Sequence, residues 1–359
     1  MKPFTHGGNI YEEKAPGGVW LDYSANINPL GLAPAVRKAI EASIGEIVHY
    51  PDPEARELKA ALAFHYHLPQ TGLVLGNGAA ELFYLFMQAV RPRRVLLPVP
   101  SFSEYERAAL AARTEICYHY LQSGQGFLLD IGALARQARA EECDAIILGN
   151  PNNPTGGLVT GRQIRELLQL TACAGAPWLV VDESFLDFRA DAADYTVRNL
   201  AAAESRLLVV QSLTKFYALP GLRLGFGVAN PQLVQRLELG KDVWNVNLLA
   251  QKAGVAALGA REYALETQAL VAAEGKWLAG ELARLPGWQV YGPTVNFILV
   301  RLSEDSGTAA RRLREQGILV RDCSNYPGLE AHYLRFAVRT HAENRQLVDA
   351  LHKIQGNTP

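Results

Sequence analysis

Continuous apolar runs punctuate the middle of the chain, each stopped by charge, proline or asparagine. "RRVLLPVP" (93–100), "CDAIILGN" (143–150), "PWLVVDES" (177–184) and "RLLVVQSL" (206–213) are the clearest. A run without alternation suits a strand covered on both faces, as in a parallel sheet. Between these runs, "SEYERAALAARTE" and "TGRQIRELLQLTACA" carry apolar residues at helical spacing. Strand and helix in alternation predict an α/β fold with helices on both sides of a mostly parallel sheet.

The C-terminal part has another rhythm. A helical pattern from about residue 250 to 285 stops at "PGWQVYGP". "NFILVRL" then reads as a strand, "GTAARRLREQ" as a helix and "HYLRFAVRT" as a second strand. A final helix of about ten residues is expected after that. The pattern predicts a smaller α+β domain made of residues 1–44 and 251–359, beside a large domain of residues 45–250. The first forty-odd residues are expected to be irregular and to pack on the smaller domain.

Composition narrows the function classes. Of 359 residues, 49% are hydrophobic and 20% charged, an ordinary globular balance. A formal net charge of −1, with no block of like charge, argues against a nucleic-acid or membrane-surface binder. No window approaches the roughly 18 apolar residues of a membrane span, and the N-terminus lacks a signal-peptide core. A cytoplasmic protein is expected. Cys117, Cys143, Cys173 and Cys323 show neither C-x-x-C nor His-paired spacing, so neither a metal site nor a disulfide framework is expected.

Four features fall at the carboxyl ends of predicted strands, where such sheets bind ligands. "LGNGAAELFYLFMQAV" puts Gly76, Gly78, Ala79 and Ala80 at the start of an amphipathic helix, whose open N–H groups and dipole welcome an anion. "GNPNNPTGG" is a rigid loop able to aim an asparagine amide. Asp182 closes the apolar run "VVDESF", where an unpaired carboxylate is costly. A protonated ring nitrogen or a protein arginine would balance it. Finally, "SLTKFYALPGLRLG" sets the hydroxyls of Ser212 and Thr214 and the forked cation of Arg223 around Lys215. Phosphate ligands, an acid for a ring nitrogen and an amine for a carbonyl are what pyridoxal 5′-phosphate needs.

Together, "GNG", "NPNNPTG", "DES" and "SLTKFYALPGLRLG" resemble the fold-type-I pyridoxal-phosphate enzymes, in the histidinol-phosphate aminotransferase branch. The resemblance covers nearly the whole chain. It implies a large domain with a mostly parallel sheet between helices and a smaller α+β domain. It implies that Lys215 binds the cofactor carbonyl and moves protons, that Asp182 pairs with the pyridine nitrogen, and that Asn153 bonds the ring hydroxyl. Ser212, Thr214, Arg223 and the backbone of Ala79 and Ala80 would hold the phosphate, and Phe102 would stack on the ring. Tyr50 in "VHYPDP" matches a tyrosine that reaches the neighbouring subunit's site, which implies a homodimer. Arg335 matches the residue that binds the substrate carboxylate.

Cofactor ligands do not choose the reaction; the residues gripping the substrate do. Here "THGGN", with His6, Gly7 and Gly8, "SANINPLG", with Asn26 and Ile27, and "NYPGL" make the chain most similar to the L-threonine-O-3-phosphate decarboxylases of cobalamin biosynthesis. That resemblance implies a phosphorylated amino-acid substrate, gripped by His6, Arg321, Arg335 and Arg339 with Asn153. Many aminotransferases have a tyrosine three residues after the aspartate; this chain has Phe185. The alternatives are histidinol-phosphate transamination, decarboxylation of L-serine O-phosphate, and a regulator with a vestigial cofactor site. The complete Lys215–Asp182–Arg223 set weighs against the last.

Overall fold

The computed structural model describes residues 6–173 and 175–356. The first strand, β1 (Leu21–Asp22), precedes the main sheet, which is built from β2 (Leu73–Asn77), β3 (Arg94–Val99), β4 (Glu115–Tyr120), β5 (Ala145–Gly149), β6 (Trp178–Asp182), β7 (Leu207–Ser212) and β8 (Leu224–Ala229). Its order is β2-β8-β7-β6-β5-β3-β4, and only β8 runs against its neighbours. The apolar runs are continuous because both faces are covered. Leu179 and Val181 join one core cluster while Val180 joins the other; Ile146 and Ile147 divide in the same way.

A second sheet follows in the C-terminal part, from β9 (Gln289–Tyr291), β10 (Phe297–Arg301), β12 (Arg321–Asp322) and β13 (Tyr333–Ala337), in the order β12-β13-β10-β9 and antiparallel throughout. β11 (Ile318–Leu319) pairs in parallel with β1. Helices Ser306–Glu315 and His341–Gly356 cover this sheet over a separate apolar cluster that includes Leu313, Phe336 and Leu351.

Three expectations need correction. The helical pattern from residue 250 onward is two helices, Leu248–Leu258 and Arg261–Ala283, parted at Gly259 and Ala260. The last helix runs sixteen residues because its apolar stripe continues through Leu351 to Ile354. The first forty-odd residues are neither wholly irregular nor confined to the second sheet. Tyr23 does hydrogen-bond Leu319 and Ala337, but helix Pro34–Ser43 lays Val36 into the core beneath the seven-stranded sheet.

Candidate active site

Lys215 sits in a four-residue helix, Leu213–Phe216, that begins where β7 ends. Ser212 caps that helix, accepting from Thr214 N at 3.3 Å, and its hydroxyl lies 2.7 Å from Thr214 Oγ1. Lys215 Nζ donates to Thr214 Oγ1 at 3.0 Å, while its carbonyl accepts from Asn28 N at 3.1 Å. The lysine is therefore pinned by its own loop and by the N-terminal segment. Burial, followed by the Arg223 charge, lowers its amine from 10.5 to about 8.

Gly225 on β8 explains how a helix start comes beside Ser212. It pairs with Ser212 on one side and Gly76 on the other, and a Cβ there would stand 2.4 Å from Ala79 N. Helix Ala79–Val90 can thus begin directly against β8. Gly78, at φ +81°, precedes it, and a Cβ on Gly78 would fall 2.4 Å from Arg223 Nη2. The open N–H groups of the helix, the Ser212 and Thr214 hydroxyls and the Arg223 guanidinium meet at one corner. Arg223 makes no ion pair among the described residues and donates only to Pro220 O, at 3.5 Å.

Asp182 ends β6 and is buried on the cavity wall. It accepts from Tyr105 Oη at 2.7 Å and from Ser184 N at 3.0 Å. No arginine or lysine pairs with it among the described residues, so the protein-arginine explanation for its placement falls. Burial raises its carboxyl above the ordinary range, and the two hydrogen bonds act against that rise.

In the asparagine loop, Asn150 and Asn152 spend their amides on Val159, Pro100 and Thr155. Asn153 faces inward and accepts from Arg335 Nη1 at 2.5 Å. Arg335 Nη2 donates to Ser24 O at 2.6 Å, and its Nε has no partner among the described residues. Arg335 is buried, makes no ion pair with a carboxylate among the described residues, and lies directly opposite Arg321 in the β12–β13 register. Side chains directly opposite in an antiparallel pair share one face, with Cβ atoms about 5 Å apart. Arg321 donates to Asp322 O at 2.6 Å and Asn325 Oδ1 at 2.7 Å, and lies 5.0 Å from the Tyr326 ring centre.

The N-terminal segment closes the remaining side. A Cβ on Gly7 would fall 1.9 Å from Ser24 O, so only glycine lets the chain pass there. Gly8 N donates to Ser24 Oγ at 2.7 Å. His6 bonds Glu104 through Nε2 at 2.8 Å, and its ring centre is 5.8 Å from that of Phe102.

These groups border one cavity of about 710 Å³, which takes in Lys215, Asp182, Asn153, Ser212, Thr214, Arg223, Ala79, Ala80, Phe102, His6, Gly7, Gly8, Asn26, Ile27, Arg321 and Arg335. Asn26 Oδ1 is buried there without a partner among the described residues. Arg339 is not on its wall. It binds Asp22 O at 3.1 Å and Glu343 Oε1 at 2.5 Å, which corrects its assignment to the substrate. Tyr50 is absent as well; it is 75% exposed and stacked on Trp244 at 4.3 Å. The sequence reading missed Tyr105, Glu104, Ser24 and Asn28. Tyr105 was within reach of it, since the residue three places after Phe102 shares its helical face.

The sequence pattern of class I and II aminotransferases matches residues 19–351. The chain belongs to that family. A threonine-phosphate decarboxylase of Salmonella typhimurium is 36% identical over 358 residues, covering 98% of this chain and 96% of that one. Among solved structures, the L-threonine-O-3-phosphate decarboxylase of Porphyromonas gingivalis aligns with a TM-score of 0.83 at 28% identity, covering 93% of this chain and 99% of that one. The histidinol-phosphate aminotransferase of Clostridium acetobutylicum aligns with a TM-score of 0.86 at 29% identity, covering 94% and 99%. The class I/II aminotransferase fold, with its large sheet and smaller second sheet, is thus the one expected from the sequence. No described helix is long and apolar enough to cross a membrane.

Proposed function

We propose that this protein decarboxylates L-threonine O-3-phosphate to (R)-1-amino-2-propanol O-2-phosphate and CO₂, using pyridoxal 5′-phosphate, as a step of cobalamin biosynthesis. The observation that carries the reading is the cross-strand pair Arg321–Arg335, two buried guanidiniums facing one cavity with Lys215. Like charges directly opposite in a sheet are unfavourable, and a buried guanidinium that no carboxylate pairs with among the described residues, as at Arg335, costs several kcal/mol. A substrate bearing both a phosphate and a carboxylate would repay that cost.

The residues present fit the cofactor. Asp182, a buried acid without a cationic side-chain partner, suits a protonated pyridine nitrogen. The corner of Ser212, Thr214, Arg223 and the Ala79–Ala80 backbone suits a phosphate. Asn153 would reach the ring hydroxyl, Phe102 would cover one ring face, and Lys215 would hold the carbonyl carbon. When bound, the cofactor supplies an electron sink for a bond at the substrate Cα.

The chain's own groups do the rest. Arg335 takes the substrate carboxylate through a guanidinium already fixed by Asn153 and Ser24. Arg321 and His6 grip the phosphate, Glu104 holding the imidazole across the cavity mouth. Lys215, with an amine near 8, keeps a neutral fraction at physiological pH and can deliver or accept a proton at Cα. Phe185, buried against Phe297 and on the cavity wall, gives no hydroxyl to the ring oxygen.

The reading includes a homodimer. Tyr50 and Trp244 lie on an exposed face with Ile44, Ile47 and Val48. A second copy covering that face would bring Tyr50 to its neighbour's cofactor phosphate.

Incubation with L-threonine O-3-phosphate and no keto acid tests the reaction: CO₂ and the amine are expected. Strict dependence on 2-oxoglutarate would instead identify an aminotransferase. Arg321→Ala is expected to raise KM for the phosphorylated substrate about 10- to 100-fold, as loss of charge-assisted hydrogen bonds implies. A non-phosphorylated analogue should be affected far less, and an equal effect on both would remove the phosphate role of Arg321.

A further inference from the structure

The spacing of the cysteines along the chain suggested no metal chemistry, yet the fold brings two of them together. Cys117 lies on the edge strand β4, and Cys143 lies just before β5. Their sulfurs and a carboxylate oxygen of Glu141 all fall within 4.8 Å of one another. Cys143 precedes its strand whereas Lys215 follows β7, so the cluster sits toward the opposite end of the parallel strands from the active site.

We propose that Cys117, Glu141 and Cys143 form a binding site for a thiophilic divalent cation of the zinc class, which ties the edge strand β4 to the head of β5 across β3. The donor set is right for such an ion. Zinc takes sulfur at about 2.3 Å and carboxylate oxygen at about 2.0–2.2 Å, so tetrahedral donors stand about 3.3–3.8 Å apart. Shifts of about an ångström or less in side chains at the sheet edge close that distance, and Cys117 and Glu141 are only half-buried, which leaves an entry route and a fourth position for water.

The surroundings are also arranged for it. Gln137 Nε2 donates to Glu141 Oε1 at 2.9 Å and to Tyr118 O at 3.1 Å, while Gln137 Oε1 bonds His119 Nδ1 at 2.7 Å. Outer contacts of this kind orient a metal-binding carboxylate. Arg94 donates to the backbone oxygen of Glu141 and to Glu115. Two thiolates and a carboxylate carry three negative charges, of which a divalent ion balances two; the Arg94 guanidinium is paired with Glu115. Binding breaks two S–H bonds, releases two protons to water and forms two cation–sulfur bonds, with no change of oxidation state.

The test uses reduced holoprotein carrying Cys173→Ser, which removes the exposed thiol. Titration with Cd²⁺ should produce the ultraviolet thiolate-to-cadmium charge-transfer band, saturating at a single ion per chain and reversed by Zn²⁺. Cys117→Ser and Cys143→Ser should each abolish the band, and Glu141→Gln should weaken binding by at least about 10- to 100-fold, the range for losing an outer contact to a ligand. Activity should be unchanged in all three, and Zn²⁺ should raise the melting temperature of the parent protein but not of Cys143→Ser. Absence of the band in the parent, its persistence in Cys117→Ser, or equal binding by Glu141→Gln would overturn the site.

Discussion

Replacing Lys215 by methionine should make the apoprotein more stable, not less. The lysine is largely buried on the cavity wall, and burial with the nearby Arg223 and Arg335 charges lowers its amine from 10.5 to about 8, Asp182 only partly offsetting them. That drop corresponds to about 3 kcal/mol for carrying the charge inside the folded chain. The sign follows from proton counting. Below about pH 8 the amine is charged in both folded and unfolded chains, and the whole cost is present. Between about 8 and 10.5 the unfolded chain binds more protons, so wild-type stability rises with pH. Methionine keeps the volume and carries no charge. Urea denaturation of both apoproteins at pH 7 should favour Lys215→Met by about 3 kcal/mol, with the gap closing as pH approaches 10.5. A variant less stable than wild type at pH 7, or a gap that does not change with pH, would refute the assignment of Lys215 as a buried, strained cation.

Tyr105→Phe removes the 2.7 Å hydrogen bond to Asp182 and leaves the ring packed on Phe83. The carboxyl should rise further, by about 1–2 pH units for a bond worth about 1.5–3 kcal/mol, seen as an upward move of the acid limb of pyridoxal-phosphate binding. Gly225→Ala should cost the cofactor site more than the fold's periphery, since its Cβ would stand 2.4 Å from Ala79 N; equilibrium dialysis should find weaker cofactor retention. Mixing inactive Tyr50→Ala and Lys215→Ala chains should restore about a quarter of the wild-type rate, because each mixed dimer rebuilds one complete site. No recovery after verified subunit exchange would sink the shared-site reading of Tyr50.

Strands β3, β5, β6 and β7 were legible because burial on both faces leaves an uninterrupted apolar run. Others were not, for particular reasons. β8 is broken by Gly225 and Gly227, which are glycine because Ala79 and Val74 crowd them. β4 is an edge strand of mixed composition, and β1, β11 and β12 are two residues long. In the site, the grouping of Lys215, Asp182, Ser212, Thr214 and Arg223 around one cavity was legible because they sit in short local motifs. The register that puts Arg321 opposite Arg335 is a long-range pairing that no local pattern carries. Arg339 misled because β13 ends at Ala337, so the strand alternation that would aim it with Arg335 has already stopped. Cys117 and Cys143 meet only once β4 and β5 are laid on either side of β3.

Arg335 has one more consequence. Its two outer nitrogens join Asn153 of the large-sheet side to Ser24 of the N-terminal segment, while its own backbone belongs to the smaller sheet. One guanidinium thus staples together three stretches of chain far apart in sequence. A carboxylate arriving at this guanidinium strengthens or competes with those same bonds, so ligand occupancy and the docking of the two sheets are thermodynamically linked. A carboxylate bound there would draw on hydrogen bonds that help hold the two sheets in register.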